Sequence, residues 1–252
     1  MNMEVILDST EETSISINGD FEKNSYSKNL KLSFFQALAM NTKLSDEIKF
    51  MPGMSGKKYR YFINNFVSQT DNPRYLEIGS WTGSTVCSAL YGNAAKAVCI
   101  DNWLKFPEEE QVRKFFDTDN QKKTFEINIK KVITEKIDFQ FIESDFRKVN
   151  YNKLGKFNIY CYDALHDRKS QYDGITIAQP ALDDIFTVII DDWNLKEVRK
   201  GTFDAFRDLG IIVISKIEIK TTQNSAFPKF IHSHYSDWHN GYFIAVCEKS
   251  KS

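Results

Sequence analysis

The chain has 252 residues, of which 42% are apolar and 27% charged, and its formal net charge is −1. A chain of this length and composition can bury a sizeable core in one large domain. Its near-zero charge gives no indication of nucleic-acid binding or of attraction to an anionic membrane. The four cysteines lack the C-x-x-C spacing of a zinc site or a disulfide framework. No apolar run reaches the ~18 residues of a membrane span, and no signal-peptide pattern opens the sequence, so we expect a cytoplasmic protein.

The first 70 residues precede the first strand of the predicted sheet, and we expect them to form an N-terminal arm and a helical cap. Residues 1–25 are polar and fit either a mobile arm or an edge strand in a homo-oligomer. Apolar residues recur with helical spacing over 30–39 and again over 57–67. Between these helices, Pro and Gly break the chain at 52–56. This loop is either a simple turn or a segment that closes over a ligand.

The stretch at 75–85 reads Y-L-E-I-G-S-W-T-G-S-T and joins an apolar run to the start of a helix. A buried strand that enters a helix through a glycine turn often binds an anionic or nucleotide-like ligand. The two glycines, Gly79 and Gly83, are spaced more widely than those of the G-x-G-x-x-G turn of dinucleotide-binding proteins. The pattern therefore points away from a nicotinamide dinucleotide.

Strand-like and helical segments alternate from residue 71 to the end of the chain. This alternation predicts an α/β fold with a mostly parallel sheet and helices on both faces. The predicted strands are 75–78, 97–101, 139–145, 157–162, 187–190, 211–219 and 241–248, and the predicted helices between them are 84–91, 107–136, 170–182 and 196–209.

Five of the predicted strands end in carboxylates. Ligands of such sheets bind outside the carboxyl ends of the strands, so we expect these acids to share one edge. Clustered carboxylates repel one another unless hydroxyl groups, amines or a cation lie among them. A purely structural role for all five is therefore hard to sustain. The acids are Glu77, Asp101, Asp145, Asp163 and the pair Asp191–Asp192.

The glycine turn and the later acids together resemble class I S-adenosylmethionine-dependent methyltransferases, whose first motif is E/D-x-G-x-x-x-G-x-T. The resemblance covers residues 74–249. It implies a Rossmann-like, seven-stranded sheet with an antiparallel last strand, in a catalytic domain at 71–252. It also implies S-adenosylmethionine as the cofactor.

The resemblance implies a role for each residue around the glycine turn. Gly79 would let the backbone approach the methionine part of the cofactor. Amides near Gly83 and Ser84 would favour its carboxylate, and Glu77 would serve its ammonium group. Asp101 would accept hydrogen bonds from both ribose hydroxyls. Asp145, with Ser144, would bind the adenine amino group. The other residues implied to contact the cofactor are Ser80, Thr85, Asn102 and Asp163. For each acid, the alternative is a carboxylate that lies on the surface or caps a helix.

A second group of polar residues follows the fourth and fifth strands, as D-A-L-H at 163–166 and D-D-W-N at 191–194. Adjacent parallel strands lie ~4.8 Å apart, which would bring the carboxylates into one small volume. Oxygen ligands with open positions suit Mg²⁺. These residues therefore predict a magnesium site.

In this region the chain is similar to metal-dependent small-molecule O-methyltransferases of the catechol and antibiotic-sugar types. The similarity implies Asp163, Asp191 and Asp192 as metal ligands and His166 as the general base. The relatives carry Asp-Asn or Glu-Asp where this chain has two aspartates. That departure leaves Asp167 and Asn194 as substitute ligands.

A polar and aromatic insertion at 220–240 is predicted to cover the acceptor. It contains three histidines, His232, His234 and His239, but their spacing lacks a carboxylate or cysteine partner in the usual zinc patterns. We therefore favour a role in acceptor binding over a metal site there.

The sequence predicts a Mg²⁺-dependent O-methyltransferase that acts on a hydroxyl group of a small molecule or a saccharide intermediate. We expect no nucleic-acid and no membrane partner, and homo-oligomer formation stays open. One alternative is a methyltransferase of another acceptor class, protein or nucleic acid. The other is a non-catalytic protein that binds S-adenosylmethionine.

Overall fold

The computed structural model describes residues 13–104, 120–226, 228 and 235–250. These residues form one eight-stranded sheet with helices on both faces. None of the helices in these ranges is long and apolar enough to cross a lipid bilayer. In chain order the elements are β1 (Ser14–Gly19), α1 (Ser25–Leu38), α2 (Asp46–Lys49), α3 (Lys57–Gln69), β2 (Arg74–Ile78), α4 (Ser84–Leu90), β3 (Ala95–Asp101), α5 (Gln121–Lys130), β4 (Ile137–Glu143), β5 (Phe157–Tyr162), α6 (Arg168–Ala178), β6 (Leu182–Ile190), α7 (Lys196–Leu209), β7 (Ile211–Lys220) and β8 (Tyr242–Lys249).

The strand order in the sheet is β1-β7-β8-β6-β5-β2-β3-β4. Strands β2 to β6 are parallel to their neighbours within this group, and β8 is antiparallel to both β6 and β7. The chain runs outwards from β2 to β3 and β4, then returns to place β5 on the other side of β2. This reversal between β2 and β5 is the point at which parallel α/β sheets bind their ligands. The predicted mostly parallel sheet with an antiparallel last strand is confirmed.

The strand beyond the predicted seven is β1, which pairs antiparallel with β7 from Ser14↔Lys220 to Gly19↔Ser215. Its sequence alternates isoleucine with serine and asparagine, as in an amphipathic strand, but all six residues are exposed at this edge of the sheet. Within the segment 1–25, residues 14–19 thus extend the sheet of their own chain. Residues 1–12 lie outside the described ranges.

Alternate residues of each strand face opposite layers of helices, as the two-residue period of a strand requires. On one face, Tyr75 and Ile159 pack in a core with Phe34 of α1 and Phe62 of α3. On the other face, Tyr160 and its neighbours pack with α6 and α7. The helices of the first 70 residues therefore share a hydrophobic core with the sheet.

Some helix and strand boundaries differ from those predicted. Helix α6 ends at Ala178, and a 3₁₀ turn at Gln179–Ala181 follows, because Pro180 has no N–H group to continue the helix. Strand β6 begins at Leu182, five residues before the predicted start, because its polar residues Asp183 and Asp184 continue the strand. The long predicted helix at 107–136 ends at Lys130, and residues 105–119 lie outside the described part of the chain.

The turn after β2 touches the end of β5. Gly79 has φ +88°, and a Cβ atom on it would lie 1.8 Å from the carbonyl oxygen of Asp163. The Asp163 amide in turn donates to the carbonyl of Ile78 over 2.9 Å. A glycine is therefore required here by the chain's own backbone, and it brings the two predicted halves of the site together.

We predict that Gly79→Ala destabilises the protein by more than about 3 kcal/mol, because the new methyl group displaces the end of β5. Gly92→Ala is the matched control. Gly92 also has a positive φ, +64°, but the nearest atom to its added Cβ is the flexible Lys43 side chain at 3.7 Å. We therefore expect Gly92→Ala to lower the free energy of unfolding only by the backbone strain, about 1 kcal/mol. Denaturant unfolding measures both values, and equal losses would contradict the steric argument.

Candidate functional site

The predicted acids do converge on one edge of the sheet. Asp101 ends β3, and Asp163 and Asp191 directly follow β5 and β6. Backbone hydrogen bonds hold two of them to the neighbouring strands: the Asp191 amide donates to the carbonyl of Tyr162 over 3.2 Å, and the Asp163 amide to that of Ile78 over 2.9 Å. The carboxyl ends of neighbouring strands therefore carry these side chains to the reversal point between β2 and β5.

The Asp101 carboxylate ties the glycine turn to the end of β3. Its Oδ2 accepts hydrogen bonds from the amides of Ser80 and Trp81, both over 2.8 Å, and its Oδ1 accepts from the amide of Trp103 over 2.7 Å. Trp81 and Trp103 both have a positive φ, which such bonds help to hold. The residue predicted to bind ribose therefore also shapes the loop around it.

Glu77 is buried on the same face of β2 as Tyr75, whose hydroxyl donates to its Oε2. Its Oε1 has no hydrogen-bond partner among the described residues. Burial, with Asp163 and Asp101 nearby, raises the pKa of Glu77 to about 8, although the hydrogen bond from Tyr75 opposes the rise. At neutral pH this carboxyl group therefore carries a proton.

The start of α4 is covered by the loop at 52–56. Ser84 and Thr85 are buried, and the hydroxyls of Ser55 and Ser84 lie 3.0 Å apart. A Cβ atom on Gly53 would lie 2.1 Å from Ser84 Oγ, so the loop rests directly on the helix. The loop is thus more than a turn in the chain, since it covers the helix start predicted to bind an anion.

The buried side chain of Arg60 holds the loop at 52–56 in place through hydrogen bonds to backbone carbonyls. Its side chain is fully buried and donates to the carbonyls of Lys49, Met51 and Gly53, over 2.9, 2.7 and 3.2 Å. Burial lowers the pKa of Arg60 to about 10, which still leaves it charged at neutral pH. One buried cation thus holds the carbonyls of alternate residues leading into the loop, so the loop's position is set by the fold.

The remaining predicted cofactor residues after β3 and β4 have local structural contacts. Asp145 Oδ1 accepts from the amide of Arg147 over 2.9 Å and caps the 3₁₀ turn at Phe146–Lys148. The amide of Ser144 donates to the carbonyl of Asp101 over 3.0 Å. Asn102 Oδ1 accepts from the amide of Leu104 over 3.1 Å. All three lie at the predicted edge, and their side chains or backbones shape its loops.

His166 lies between two of the predicted metal ligands. Its Nε2 is 2.6 Å from Asp192 Oδ2 and 4.0 Å from Asp163 Oδ1. Burial alone lowers the pKa of His166, but the Asp192 carboxylate outweighs burial and raises that pKa to about 9. In return, burial would raise the pKa of Asp192, but the facing imidazolium holds it below its usual value. The two form an ion pair at neutral pH.

The other two aspartates of the cluster hold protons more tightly than usual. Burial and the neighbouring Asp192 raise the pKa of Asp163 to about 6. Burial and the charges of Asp163 and Asp192 raise the pKa of Asp191 well above its ordinary value. Asp191 Oδ1 also has no hydrogen-bond partner in the described part of the chain. The cluster is electrically balanced by bound protons, which a cation would replace.

The structure adds a residue that the spacing of the histidines did not reveal. Asp191, Asp192 and His239 each offer a ligand atom within 4.8 Å of the others, and all three are buried. Burial lowers the pKa of His239 to about 4, so its imidazole is neutral. Of the predicted ligands, Asp163 is outside this group of three. The carboxylate partners of His239 lie more than 40 residues away in sequence, and only the pairing of β6 with β8 brings them together.

Asn194 holds both ends of the insertion at 220–240. Its Oδ1 accepts from the amide of Thr221, and its Nδ2 donates to Thr221 Oγ1 and Asn240 Oδ1, each over 2.8 Å. Asp167 caps α6, where its Oδ1 accepts from the amide of Ser170 over 2.9 Å. Asn194 and Asp167, which the sequence left as substitute metal ligands, are thus both engaged in structural hydrogen bonds. The other two histidines of the insertion, His232 and His234, lie outside the described ranges.

No protein-family model and no curated protein matches this sequence. Among solved structures, the chain is similar to an S-adenosylhomocysteine-bound methyltransferase of Podospora anserina, with a TM-score of 0.51 and 11% identity over 100% of this chain and 97% of that one. A candidate RNA methyltransferase of Pyrococcus horikoshii gives a TM-score of 0.48 and 13% identity over 88% and 98%. A candidate O-methyltransferase of Klebsiella pneumoniae gives 0.46 and 10% over 87% and 89%. The first similarity supports the Rossmann-like methyltransferase fold.

The buried Glu77 predicts a pH dependence of stability. Its pKa is about 8 in the folded protein, against an ordinary value of 4.5, so between these pH values only the unfolded chain loses the proton. The free energy of unfolding therefore falls as pH rises from 5 to 8. We expect Glu77→Gln to match the wild type within about 1 kcal/mol at pH 5 and to exceed it by roughly 3 kcal/mol at pH 8. Urea unfolding at both values checks this, and parallel pH profiles for the two proteins would refute it.

Proposed function

We propose that this protein is an S-adenosylmethionine-dependent O-methyltransferase that uses a divalent cation to methylate a hydroxyl group of a small molecule or a saccharide. The observation that carries the proposal is the contact between Gly79 and Asp163. It joins a glycine turn with a buried acid to a cluster of carboxylates and imidazoles at the reversal point of the sheet. A methyl donor and a hydroxyl acceptor need such adjacent sites, because transfer occurs only between groups held in line.

The residues around the glycine turn fit S-adenosylmethionine by their chemistry. Glu77 Oε1 is buried and has no hydrogen-bond partner in the described ranges. An ammonium group bound there would displace the proton that Glu77 carries in the free protein and form an ion pair with the carboxylate. Asp101 uses three of its roughly four acceptor positions for amides and retains one for a ribose hydroxyl. The cofactor, when bound, would supply an electrophilic methyl group on a sulfonium sulfur. The amides at the start of α4 become available to its carboxylate only if the loop at 52–56 shifts.

The acidic cluster fits a divalent cation. Asp191 Oδ1 and His239 Nδ1 are both buried and lack hydrogen-bond partners among the described residues, so both atoms are available to coordinate a cation. Asp192 is oriented by Asn240, whose Nδ2 donates to its Oδ1. The cation would stabilise the negative charge that develops on the acceptor oxygen.

We assign His166 as the residue that takes the proton of the acceptor hydroxyl. About 37% of its side chain is exposed, which leaves the ring accessible from the edge of the sheet. Its ion pair with Asp192 keeps it protonated in the free protein, so it becomes a base when the charge of Asp192 is shared with a cation. A neutral histidine in this position is typically worth ~10²–10⁴-fold in rate.

The charge of the site supports a small neutral acceptor. Carboxylates line the edge, and the chain as a whole has a net charge of −1, so a polyanionic acceptor gains no overall electrostatic attraction. The sequence after β5, D-A-L-H at 163–166, also lacks the Asn/Asp-Pro-Pro-Tyr motif of amino-methylating DNA enzymes. These features favour a hydroxyl acceptor over a nucleic-acid base.

Calorimetric titration with S-adenosylhomocysteine tests the donor half, and methyl transfer to a panel of phenols and sugars tests the acceptor half. We expect binding to the wild type. Glu77→Gln should weaken it at least 10-fold, because an amide cannot form an ion pair with the ammonium group.

The matched variant His166→Gln should bind S-adenosylhomocysteine within about 3-fold of the wild type but lose at least 100-fold in methyl transfer, since it removes the base and leaves the residues around the glycine turn unchanged. If the wild type does not bind S-adenosylhomocysteine, the proposed function fails. If His166→Gln retains full activity, the assignment of the base fails.

A further inference from the structure

We propose that His239 completes a three-residue site with Asp191 and Asp192 for a divalent first-row transition ion, in preference to Mg²⁺. The inference concerns which ion the site selects, and it rests on the proposed function only for the role that the ion plays in methyl transfer. Asp191 and Asp192 follow β6, while His239 comes from the end of the insertion that leads into β8.

The first support is that the three residues bring ligand atoms together in a buried place, and two of the residues carry an atom without another partner. The third, Asp192, pairs with His166 and accepts a hydrogen bond from Asn240. One ligand atom from each residue lies within 4.8 Å of the other two. Asp191 is 6% exposed and His239 is 5% exposed. Asp191 Oδ1 and His239 Nδ1 have no hydrogen-bond partner within the described residues, which is costly for a buried polar atom. A bound ion removes that cost for both atoms at once.

The second support is that the backbone holds His239 in place. Its amide donates to Ser236 Oγ over 2.5 Å, and its carbonyl accepts from Thr221 Oγ1 over 2.9 Å. Gly241 follows with φ +81° and no room for a Cβ, which would lie 2.4 Å from the carbonyl of Ile219. The segment is thus fixed against β7.

The same segment is also anchored on its other side. The amides of Lys57 and Lys58, at the start of α3, donate to the carbonyls of Ser236 and Asp237 over 2.7 and 3.0 Å. Lys58 Nζ also lies 2.8 Å from a carboxylate oxygen of Asp237. The insertion therefore returns to the sheet through a rigid turn, and His239 is positioned by the fold before any ion arrives.

The chemistry of the ligand set decides the class of ion. Mg²⁺ prefers an all-oxygen environment with near-octahedral geometry and retains several waters. An imidazole nitrogen among carboxylates instead suits Zn²⁺, Fe²⁺ and related ions. Three protein ligands also leave open coordination positions, as in sites where a metal contacts a substrate. The expectation of Mg²⁺ rested on oxygen ligands alone, and the nitrogen of His239 changes it.

Direct metal binding tests the inference with the full chain, without cofactor or acceptor. We expect one Zn²⁺ to bind per chain at least 100-fold more tightly than Mg²⁺ in calorimetric titrations. His239→Asn replaces the nitrogen ligand with an amide oxygen, so Zn²⁺ affinity should fall at least 10-fold while Mg²⁺ affinity stays within about 3-fold. Asp184→Asn is the control, because this exposed carboxylate lies at the opposite end of β6 from Asp191, and it should leave both affinities unchanged.

A spectroscopic measurement identifies the ligand itself. With Mn²⁺ as the probe, electron spin-echo spectra should show nitrogen modulation in the wild type and in Asp184→Asn, and lose it in His239→Asn. Urea unfolding verifies that each variant is folded. The inference is overturned if Mg²⁺ binds as tightly as Zn²⁺, if His239→Asn lowers both affinities equally, or if nitrogen modulation persists in that variant.

The two proposals fail separately. A chain that binds Zn²⁺ through His239 but does not bind S-adenosylhomocysteine retains the metal site and loses the proposed function. A chain that binds S-adenosylhomocysteine but shows no preference for Zn²⁺ retains the donor site and loses this inference.

Discussion

The contact between Gly79 and the carbonyl of Asp163 is the constraint on which the site depends. Parallel neighbours in a sheet are held at a fixed spacing, but the loops beyond their ends diverge unless something holds them. Here a residue without Cβ and with φ +88° lets the turn after β2 lie directly on the end of β5. The fold thereby presents the acid of one strand and the aspartates of the next two to a single volume, at the reversal point of the strand order.

The converging carboxylates repel one another, and bound protons and one ion pair reduce this repulsion. Asp163 and Asp191 have raised pKa values because they are buried beside other carboxylates, while Asp192 stays ionised against His166. A metal ion that replaces such protons binds more tightly when its ligands are already held in place. The hydrogen bonds of Asn194 and Asn240 to the same region supply that preorganisation.

The sequence alone predicts the sheet and the acids, because strands and their last residues are local signals. Apolar runs that end in carboxylates locate Asp101, Asp163 and Asp191 without any knowledge of packing. It does not predict the partner of His239, since the spacing to Asp191 depends on how β8 pairs with β6. Nor does it predict the cover at 52–56, whose position is set by the buried Arg60. Non-local contacts decide both.

The acids at this edge of the sheet fall into two groups, according to whether their carboxylates already accept hydrogen bonds from the backbone. Asp101 and Asp145 accept backbone amides, so part of their role is to shape loops, whichever ligand binds. In contrast, Glu77, Asp191 and His239 bury polar atoms without hydrogen-bond partners in the described ranges. An unpartnered buried polar atom destabilises the fold, and such atoms persist where a ligand completes them. The strongest physical evidence for ligand binding therefore lies with these three residues, one beside the glycine turn and two in the metal cluster.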